Sequence, residues 1–336
     1  MLPGVNIAVI GLGLVGGSLL RALATAGHTL WGYDVDPATR ANARTAAAQA
    51  PAHARWRVMS SAADAVEHAD LAVVAVPLPA VDEVLHALMS AGYAGLVTDV
   101  TSVKQPVRDL VAHRLHGGHS RLAGFVGGHP MAGRETAGFA AADASLFVGA
   151  PWVLCLEPDT SPADWLALAD LFTRLGARVV PTTAAEHDRA VAAVSHVPHL
   201  VAAALATLVA DDSLALTLAA GSFRDGTRVA ASPPALTAAM CGGNAPAVAP
   251  ALVTVTDVLA RAAEALRSEH PIPELRDWLA PAAVVRGAWP PRPGSRLDLP
   301  AHPDALLRLG RDGGWVTAVA ADRRTVTAVR PTPPAA

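Results

Sequence analysis

A short apolar run, VNIAVI, leads directly into the glycine-rich segment GLGLVGGS near the start of the chain, and a helix-like stretch follows it. The order G-x-G-x-x-G between a strand and a helix is typical of the first βαβ unit of a dinucleotide-binding domain. Gly11 permits the tight turn, Gly13 lets the backbone approach a pyrophosphate, and Gly16 allows close packing of helix on strand. Leu14 and Val15 open the helix, whose N-terminus attracts the phosphates.

Strand-like runs alternate with helix-like stretches through the first half of the chain. This alternation predicts βαβ units and a parallel sheet, and right-handed crossovers make such a sheet doubly wound. We therefore expect an α/β doubly wound (Rossmann-type) domain over residues 1–182. The strand-like runs are VNIAVIG, HTLWGYD, RWRVM, DLAVVAVP, GLVTDV, FVGGH, WVLCL and ARVVPT.

The β-like runs stop after Thr183. Residues 183–288 are rich in alanine and leucine at helical spacing, which predicts an all-α second domain. Residues 289–336 begin with a proline-rich break, PPRPGSRLDLP, and we expect a small strand-helix-strand appendage over 297–329. We assign no chemistry to that appendage.

Composition limits the partners of the chain. Hydrophobic residues make up 52% of its 336 residues and charged residues 16%, which excludes a disordered chain and predicts a buried subunit interface. The helical domain is the expected dimerisation surface of a homodimer. The net charge of −3 and the absence of a Lys/Arg-rich run exclude the electrostatic pattern of nucleic-acid binding.

The chain is expected to be cytoplasmic. Cys155 and Cys241 form neither a disulfide framework nor a C-x-x-C pair, and no basic segment precedes the first apolar run. Residues 190–210 are apolar enough to suggest a membrane span, but they are mostly alanine and contain two histidines and a proline. We interpret them as a buried helix and expect no membrane partner.

The second strand-like run ends at Asp34, where a carboxylate can accept hydrogen bonds from the adenosine ribose hydroxyls. A carboxylate there repels a 2′-phosphate, so the expected cofactor is NAD rather than NADP. Asp36 is near enough to share this role. Val76 and Pro77 end the fourth strand-like run and are expected to border the cofactor, although a simple loop at the end of the strand is an alternative.

Further groups of unusual residues follow: DVTSVK, GGHPMAGRETAG, SHVPH and GSFRDGTRVA. The first two end predicted strands, at the edge where open α/β sheets bind ligands. Together they supply a hydroxyl, imidazoles and guanidinium groups. That set suits an anionic substrate and a hydride transfer linked to proton transfer.

With these motifs in order, the chain resembles the prephenate/arogenate dehydrogenase family of tyrosine biosynthesis. The resemblance extends over roughly residues 5–240 and includes the glycine motif and the strand that ends in Asp34. It implies an N-terminal NAD domain, a helical dimerisation domain and oxidative decarboxylation of prephenate to 4-hydroxyphenylpyruvate.

The resemblance also assigns residue roles. His129 matches the catalytic histidine that takes the proton of the substrate C4 hydroxyl, and Ser102 matches the serine that hydrogen-bonds the same hydroxyl. Arg228 matches the arginine that binds the ring carboxylate, and His199 the histidine at the side-chain end of the substrate. A histidine that only caps a turn is the alternative reading of His129.

Three further assignments come from the same motifs. Arg224 resembles a basic position that reaches into the partner subunit's site. Glu135 matches a residue that gates the site by pairing with an arginine, and a surface ion pair with Arg134 is the alternative interpretation. The His196–His199 spacing superficially suggests a metal site, but Pro198 and the lack of an acidic or cysteine cluster lead us to expect no metal.

The chain departs from the family pattern in ways that leave the substrate open. Thr101 replaces a usual glycine, and the acid and tryptophan that often follow the binding arginine are absent after Arg228. Arogenate and, more remotely, 4-amino-4-deoxyprephenate are therefore alternatives to prephenate. Other classes are a non-catalytic NAD-sensing module and a β-hydroxyacid-type dehydrogenase, but the latter needs a lysine and residues 183–288 contain none.

Overall fold

The computed structural model describes residues 4–116, 124–134 and 136–332. Two compact units make up the chain. The first contains residues 1–187 and 296–329, and the second contains residues 188–295 and 330–336.

The first unit begins with a parallel sheet flanked by helices. Every strand pair with its register resolved in this sheet is parallel, in the order β3-β2-β1-β4-β5-β6, which confirms the doubly wound prediction. The strands are β1 (Asn6–Ile10), β2 (Thr29–Tyr33), β3 (Arg57–Val58), β4 (Leu71–Val74), β5 (Leu96–Asp99) and β6 (Gly124–Val126), and the helices are α1 (Leu14–Thr25), α2 (Pro37–Gln49), α3 (Ala62–Val66), α4 (Val81–Ser90) and α5 (Gln105–His116).

Strand β1 shows why the sheet is covered on both faces. Ile7 and Val9 belong to one buried cluster, while Ala8 and Ile10 belong to another. Successive side chains of a strand point to opposite faces, so an uninterrupted apolar run requires a helix layer on each side. The carboxyl ends of β1, β2, β4 and β5 then meet at one edge of the sheet.

The segment FVGGH, expected as one strand, forms two. Strand β6 ends at Val126, and β7 (Gly128–Pro130) begins a second sheet with β8 (Pro151–Cys155) and β9 (Arg178–Thr182); α6 (Pro162–Arg174) connects the last two. Gly127 separates the strands, and its carbonyl accepts from the Cys155 N–H at 2.8 Å. A second sheet is a correction to the expectation of a single one.

The second unit is helical, as expected. Its small buried core includes Val197 and Val248, and residues 192–196 form a π-helical turn. The helices that follow β9 along the chain are α7 (Ala184–Val191), α8 (Val197–Thr207), α9 (Ser213–Leu218), α10 (Gly221–Thr227), α11 (Pro234–Gly243), α12 (Ala245–Ala265) and α13 (Pro271–Gly287).

Much apolar surface of the second unit is exposed, including Leu208, Leu218, Ile272 and Val284. Among the described residues, two helical stretches, Ala184–Thr207 and Ala245–Ala265, are long and apolar enough to cross a membrane, and 28% and 6% of their most apolar windows are buried. One or two helices of this kind are by themselves only a weak indication of a membrane span. The buried helix expected near residues 190–210 is thus largely uncovered within one chain.

The C-terminal residues return to the first unit. They form β10 (Pro293–Pro300), α14 (Pro303–Arg311), β11 (Trp315–Val319) and β12 (Thr325–Pro331), one strand more than expected. We call these four elements the C-terminal module. They complete the second sheet, whose order is β10-β12-β11-β9-β8-β7, with Val316 of β11 paired to Val179 of β9. The module is therefore part of the sheet and not a separate appendage.

Candidate active site

The glycine turn is packed tightly against the end of β4. Gly11 has φ +98°, and a Cβ there would lie 2.3 Å from the Ala75 carbonyl oxygen and 2.9 Å from a Val76 methyl group. A Cβ on Gly16 would lie 1.9 Å from the Gly11 oxygen. A Cβ on Gly13, in contrast, meets no described atom within 4 Å, so the turn presents an open backbone surface there.

Helix α1 begins at this open surface. Among the described residues, no side chain caps its N-terminus at Gly13 and no acidic residue lies in its first turn. The N–H groups at Leu14 and Val15 are among the first-turn groups that lack a partner within a helix. A helix start of this kind attracts an anionic group such as a pyrophosphate.

Asp34 follows β2 at the same edge. Its carboxylate accepts hydrogen bonds from the N–H groups of Leu12, at 2.7 Å, and Asp36, at 2.9 Å. Asp36 itself caps α2, and the hydrogen bonds from Thr39 and Ala38 lower its pKa below the usual value. Asp34 is thus held beside the glycine turn, whereas Asp36 is engaged as a helix cap.

Sequence reasoning missed a cation near this carboxylate. Arg40 of α2 donates from Nη1 to the carbonyl oxygens of Asp34, at 2.7 Å, and Val35, at 3.0 Å. The cation of Arg40 therefore lies beside Asp34, although six residues separate the two in the chain. The predicted preference for NAD over NADP therefore rests on the Asp34 carboxylate.

A buried ion pair follows β5. Lys104 and Asp99, each 1% exposed, form a salt bridge. The Lys104 ammonium also donates to Thr101 Oγ1 at 3.1 Å and to the Gly128 carbonyl at 2.5 Å. Thr101 donates its N–H to Asp99 at 3.0 Å, and its hydroxyl contacts the same carboxylate. The threonine that departs from the family pattern is part of this network.

The same network holds the start of β7. Asp99 Oδ1 accepts the Gly128 N–H at 3.1 Å, while Lys104 binds the Gly128 carbonyl. Both backbone polar groups of the residue before His129 are therefore fixed by one ion pair. Ser102, half-buried, lies in the loop between these two charged residues. Lys104 is the only lysine of the chain.

His129 lies on β7 and contacts a second histidine. Its Nδ1 is 2.9 Å from Nε2 of His187, and the two rings meet edge to face with centroids 5.1 Å apart. His187 is 2% exposed, whereas His129 is half-buried. This contact engages Nδ1 of His129 and Nε2 of His187.

Helix α7 presents His187 from its first turn. The preceding sequence Thr-Ala-Ala-Glu forms a capping box: Thr183 Oγ1 accepts the Glu186 N–H at 3.3 Å, and Glu186 Oε2 accepts the Thr183 N–H at 3.2 Å. Glu157 accepts the Ala184 N–H at 2.5 Å. The start of α7 is thus fixed by side chains of its own first turn and by Glu157, which comes from an earlier part of the chain.

The other predicted residues lie in the second unit. His199, half-buried, donates from Nδ1 to the Ser195 carbonyl at 2.8 Å. Arg228 is exposed at the start of a short 3-10 helix, and exposed Arg224 forms an ion pair with Asp225 at 3.3 Å. The assembly of these side chains with His129 remains a prediction.

Two other assignments have different outcomes. Glu135 lies outside the described residues. Arg134 pairs with Asp143 at 2.5 Å, and the hydrogen bonds from Ser145, together with this ion pair, lower the pKa of the Asp143 carboxyl to about 2. His196, fully buried, is 3.1 Å from the Asn244 amide. Within the described part of the chain, no group of three or more histidine, cysteine or acidic side chains is arranged to hold a metal ion.

Comparison with known proteins identifies the family. The chain matches the family model "Prephenate dehydrogenase, nucleotide-binding domain" over residues 19–181 and the model "Prephenate dehydrogenase, dimerization domain" over residues 183–281. The cyclohexadienyl dehydrogenase of Zymomonas mobilis is 35% identical over 256 residues, which are 74% of this chain and 83% of that protein.

Two other proteins are similar. The prephenate dehydrogenase of Bacillus subtilis is 33% identical over 243 residues, which are 69% of this chain but only 62% of that relative. A crystal structure of prephenate dehydrogenase from A. aeolicus, in complex with hydroxyphenyl propionate and NAD+, superposes with a TM-score of 0.74 at 26% identity and covers 85% of this chain and 98% of that one. The chain belongs to the prephenate dehydrogenase family.

Proposed function

We propose that this protein catalyses the NAD-dependent oxidative decarboxylation of prephenate to 4-hydroxyphenylpyruvate in tyrosine biosynthesis. The observation that carries the proposal is the His129–His187 pair, next to the Gly128 backbone that the Lys104–Asp99 network holds, in a chain of this family. The nearest alternative is an arogenate dehydrogenase. The departures after Arg228 concern the substrate pocket and leave the proton and hydride chemistry unchanged.

His129 acts as the general base in this proposal. With a proton on Nδ1 donated to His187, Nε2 carries the lone pair that takes the proton of the substrate C4 hydroxyl. NAD, when bound, accepts the hydride that leaves C4. The bond between the ring and its carboxylate then breaks, and its electrons complete the aromatic ring as carbon dioxide departs.

His187 favours this tautomer through its place in α7. It lies in the first turn of the helix, where the positive end of the helix dipole disfavours an additional positive charge. A neutral His187 can accept the Nδ1 proton of His129 and hold that donor bond when His129 becomes an imidazolium. The charge formed in the reaction is thereby placed on the half-buried ring that contacts the substrate.

The remaining roles follow the family motifs. Ser102 hydrogen-bonds the reacting hydroxyl, and Arg228 binds the ring carboxylate through its planar fork. His199 binds the side-chain end of the substrate. Arg224 and Glu135 are proposed to contribute from the partner subunit and from the entrance of the site, respectively.

The proposed site for NAD is the open backbone at Gly13 together with the first turn of α1, Asp34, Val76 and Pro77. The uncapped helix start suits the pyrophosphate, and the Asp34 carboxylate suits the ribose hydroxyls. The helical unit is proposed to form a homodimer that covers its exposed leucine and valine side chains. We propose a cytoplasmic protein that requires no metal, nucleic acid or membrane.

Replacing Asp34 with asparagine is expected to raise the ratio of NADP to NAD efficiency about tenfold or more, since a charge-assisted hydrogen bond is worth roughly 1.5–3 kcal/mol. The change removes the charge that repels a 2′-phosphate and leaves Arg40 beside it. The measurement is kcat/KM with each cofactor. Asp36→Asn is the matched control, because the Asp36 side chain caps α2, and an equal shift in both variants would contradict the assignment.

The proposed reaction is tested with purified protein and three acids. We expect the rate of NAD reduction to be highest with prephenate, lower with arogenate and lowest with 4-amino-4-deoxyprephenate. One carbon dioxide should be released for each NAD that is reduced. A reversed order between the first two would change the assignment to arogenate dehydrogenase. Inactivity on all three, with NAD bound, would favour the sensing module.

A further inference from the structure

The C-terminal module reaches the start of α7, the helix that carries His187. The two family models end at residues 181 and 281, so the module lies beyond both matched regions. It nevertheless belongs to the same sheet as His129, because β11 pairs with β9 and β7 pairs with β8. The module is thus connected to the candidate base through the sheet and through α7.

Helix α14 packs closely on the residues that precede α7. A Cβ on Gly310 would lie 1.8 Å from the carbonyl oxygen of Pro181 in β9. Only a glycine lets the end of α14 approach that backbone without a shift. Thr182 and the capping residue Thr183 follow directly, so the position of α14 bears on the point where α7 begins.

An ion pair joins the two helices at the same place. Arg311, in the last turn of α14, donates from Nε to Glu186 Oε1 at 2.7 Å. The other carboxylate oxygen, Glu186 Oε2, accepts two hydrogen bonds from Thr183: one from its N–H at 3.2 Å and one from its hydroxyl at 3.0 Å. One carboxylate therefore links the module to the capping box, and the next residue along α7 is His187.

The Glu186 carboxylate is ionised, which favours its contacts with Arg311 and Thr183. Burial by itself would raise the pKa of Glu186, but the hydrogen bonds from Arg311 and Thr183 outweigh burial and lower it below its ordinary value. Glu186 is therefore ionised at neutral pH. The guanidinium of Arg311 holds a fully charged acceptor in the orientation that the capping box needs.

We propose that Arg311 is a positioning residue for His129. Arg311 orients Glu186, Glu186 fixes the first turn of α7, and that turn sets the distance and angle between His187 and His129. The inference rests on the proposed function only in taking His129 as the base. The C-terminal module is thus a part of the catalytic support that the family models do not include.

The kinetic test compares Arg311→Ala with Arg308→Ala, which removes an exposed arginine from the same helix. The Arg311 side chain is 58% exposed, so the ion pair is of modest strength and we expect kcat to fall about threefold. The pH at which kcat/KM is half-maximal should shift, while KM for NAD stays unchanged. Arg311→Lys should recover part of kcat, and Arg308→Ala should match the parent.

The Glu186→Gln variant tests the route. Glutamine can still complete the capping box but carries no charge for Arg311. If the effect of Arg311 passes through Glu186, the double variant should have the same kcat as the more affected single variant. If the losses of kcat in the two single variants instead multiply in the double variant, Arg311 does not act through Glu186 and the route is overturned. Identical pH profiles for Arg311→Ala and Arg308→Ala would overturn it as well.

A spectroscopic test does not depend on the substrate. Nitrogen-15 spectra of the histidine rings, recorded on the full chain with NAD and no acid substrate, report the tautomers of His129 and His187. We expect those two ring signals to change in Arg311→Ala and not in Arg308→Ala. If the protein turns over none of the three acids, the proposed function fails, but the comparison of ring signals still tests the role of Arg311. Ring signals that stay unchanged in both variants would overturn that role.

Discussion

Replacing His129 with asparagine is expected to reduce turnover about 10²- to 10⁴-fold, the usual contribution of a positioned general base. Asparagine keeps a polar side chain of similar reach but cannot take the proton of the substrate hydroxyl. The affinity for NAD should be retained, because Gly13, Asp34 and the start of α1 do not depend on this ring. Steady-state kinetics with prephenate and calorimetric titration with NAD measure the two quantities.

The matched control for this variant is His113→Asn, which changes an exposed histidine of α5 in the same unit. It should leave both turnover and NAD affinity at the parent values. Turnover preserved in His129→Asn would reject the base assignment. Loss of NAD affinity together with turnover would point instead to a histidine with a purely structural role on β7.

Replacing Lys104 with methionine is expected to lower the free energy of unfolding by about 3–5 kcal/mol, the usual cost of removing one partner of a buried ion pair. Methionine fills similar space but leaves the Asp99 carboxylate, 1% exposed, without its counter-charge. It also removes the donor to the Gly128 carbonyl, so the placement of His129 should loosen and activity should fall. Urea unfolding followed by circular dichroism measures the stability change.

The control combines Lys104→Met with Asp99→Asn. Because the double variant buries no unpaired charge, it should be more stable than Lys104→Met alone. A loss below about 1 kcal/mol in the single variant would be typical of an ordinary surface change and would contradict the buried-anchor interpretation. Lys104 is the only lysine, so a lysine-selective isotope label reports its environment in a single signal.

The nucleotide-binding half of the molecule could be predicted because its signals are local. The glycine motif, the apolar runs and the change after Thr183 each depend on a few neighbouring residues and on strand or helix periodicity. The residues that meet at the carboxyl edge, such as Gly13, Asp34 and Val76, followed from parallel topology alone. His129 and Ser102 stood out because polar motifs interrupt an otherwise apolar chain.

Other parts of the site had no local signal. His187 is separated from His129 by 58 residues and lies in an ordinary alanine-rich helix start. The capping box before it predicts where a helix begins but not what that helix contacts. Arg40 lies in the first turn of α2, six residues after Asp34, and only the fold shows that its guanidinium donates to the Asp34 carbonyl.

The amino-acid sequence alone determined the doubly wound sheet, the helical second unit and the motif residues, since periodic burial and glycine conformation are properties of short segments. Only the tertiary structure decided that FVGGH divides between two sheets, that the last strands complete the second sheet, and that Arg311 reaches Glu186. Such contacts join residues far apart in the chain, and they form where hydrogen bonds and packing across the whole fold outweigh local preference.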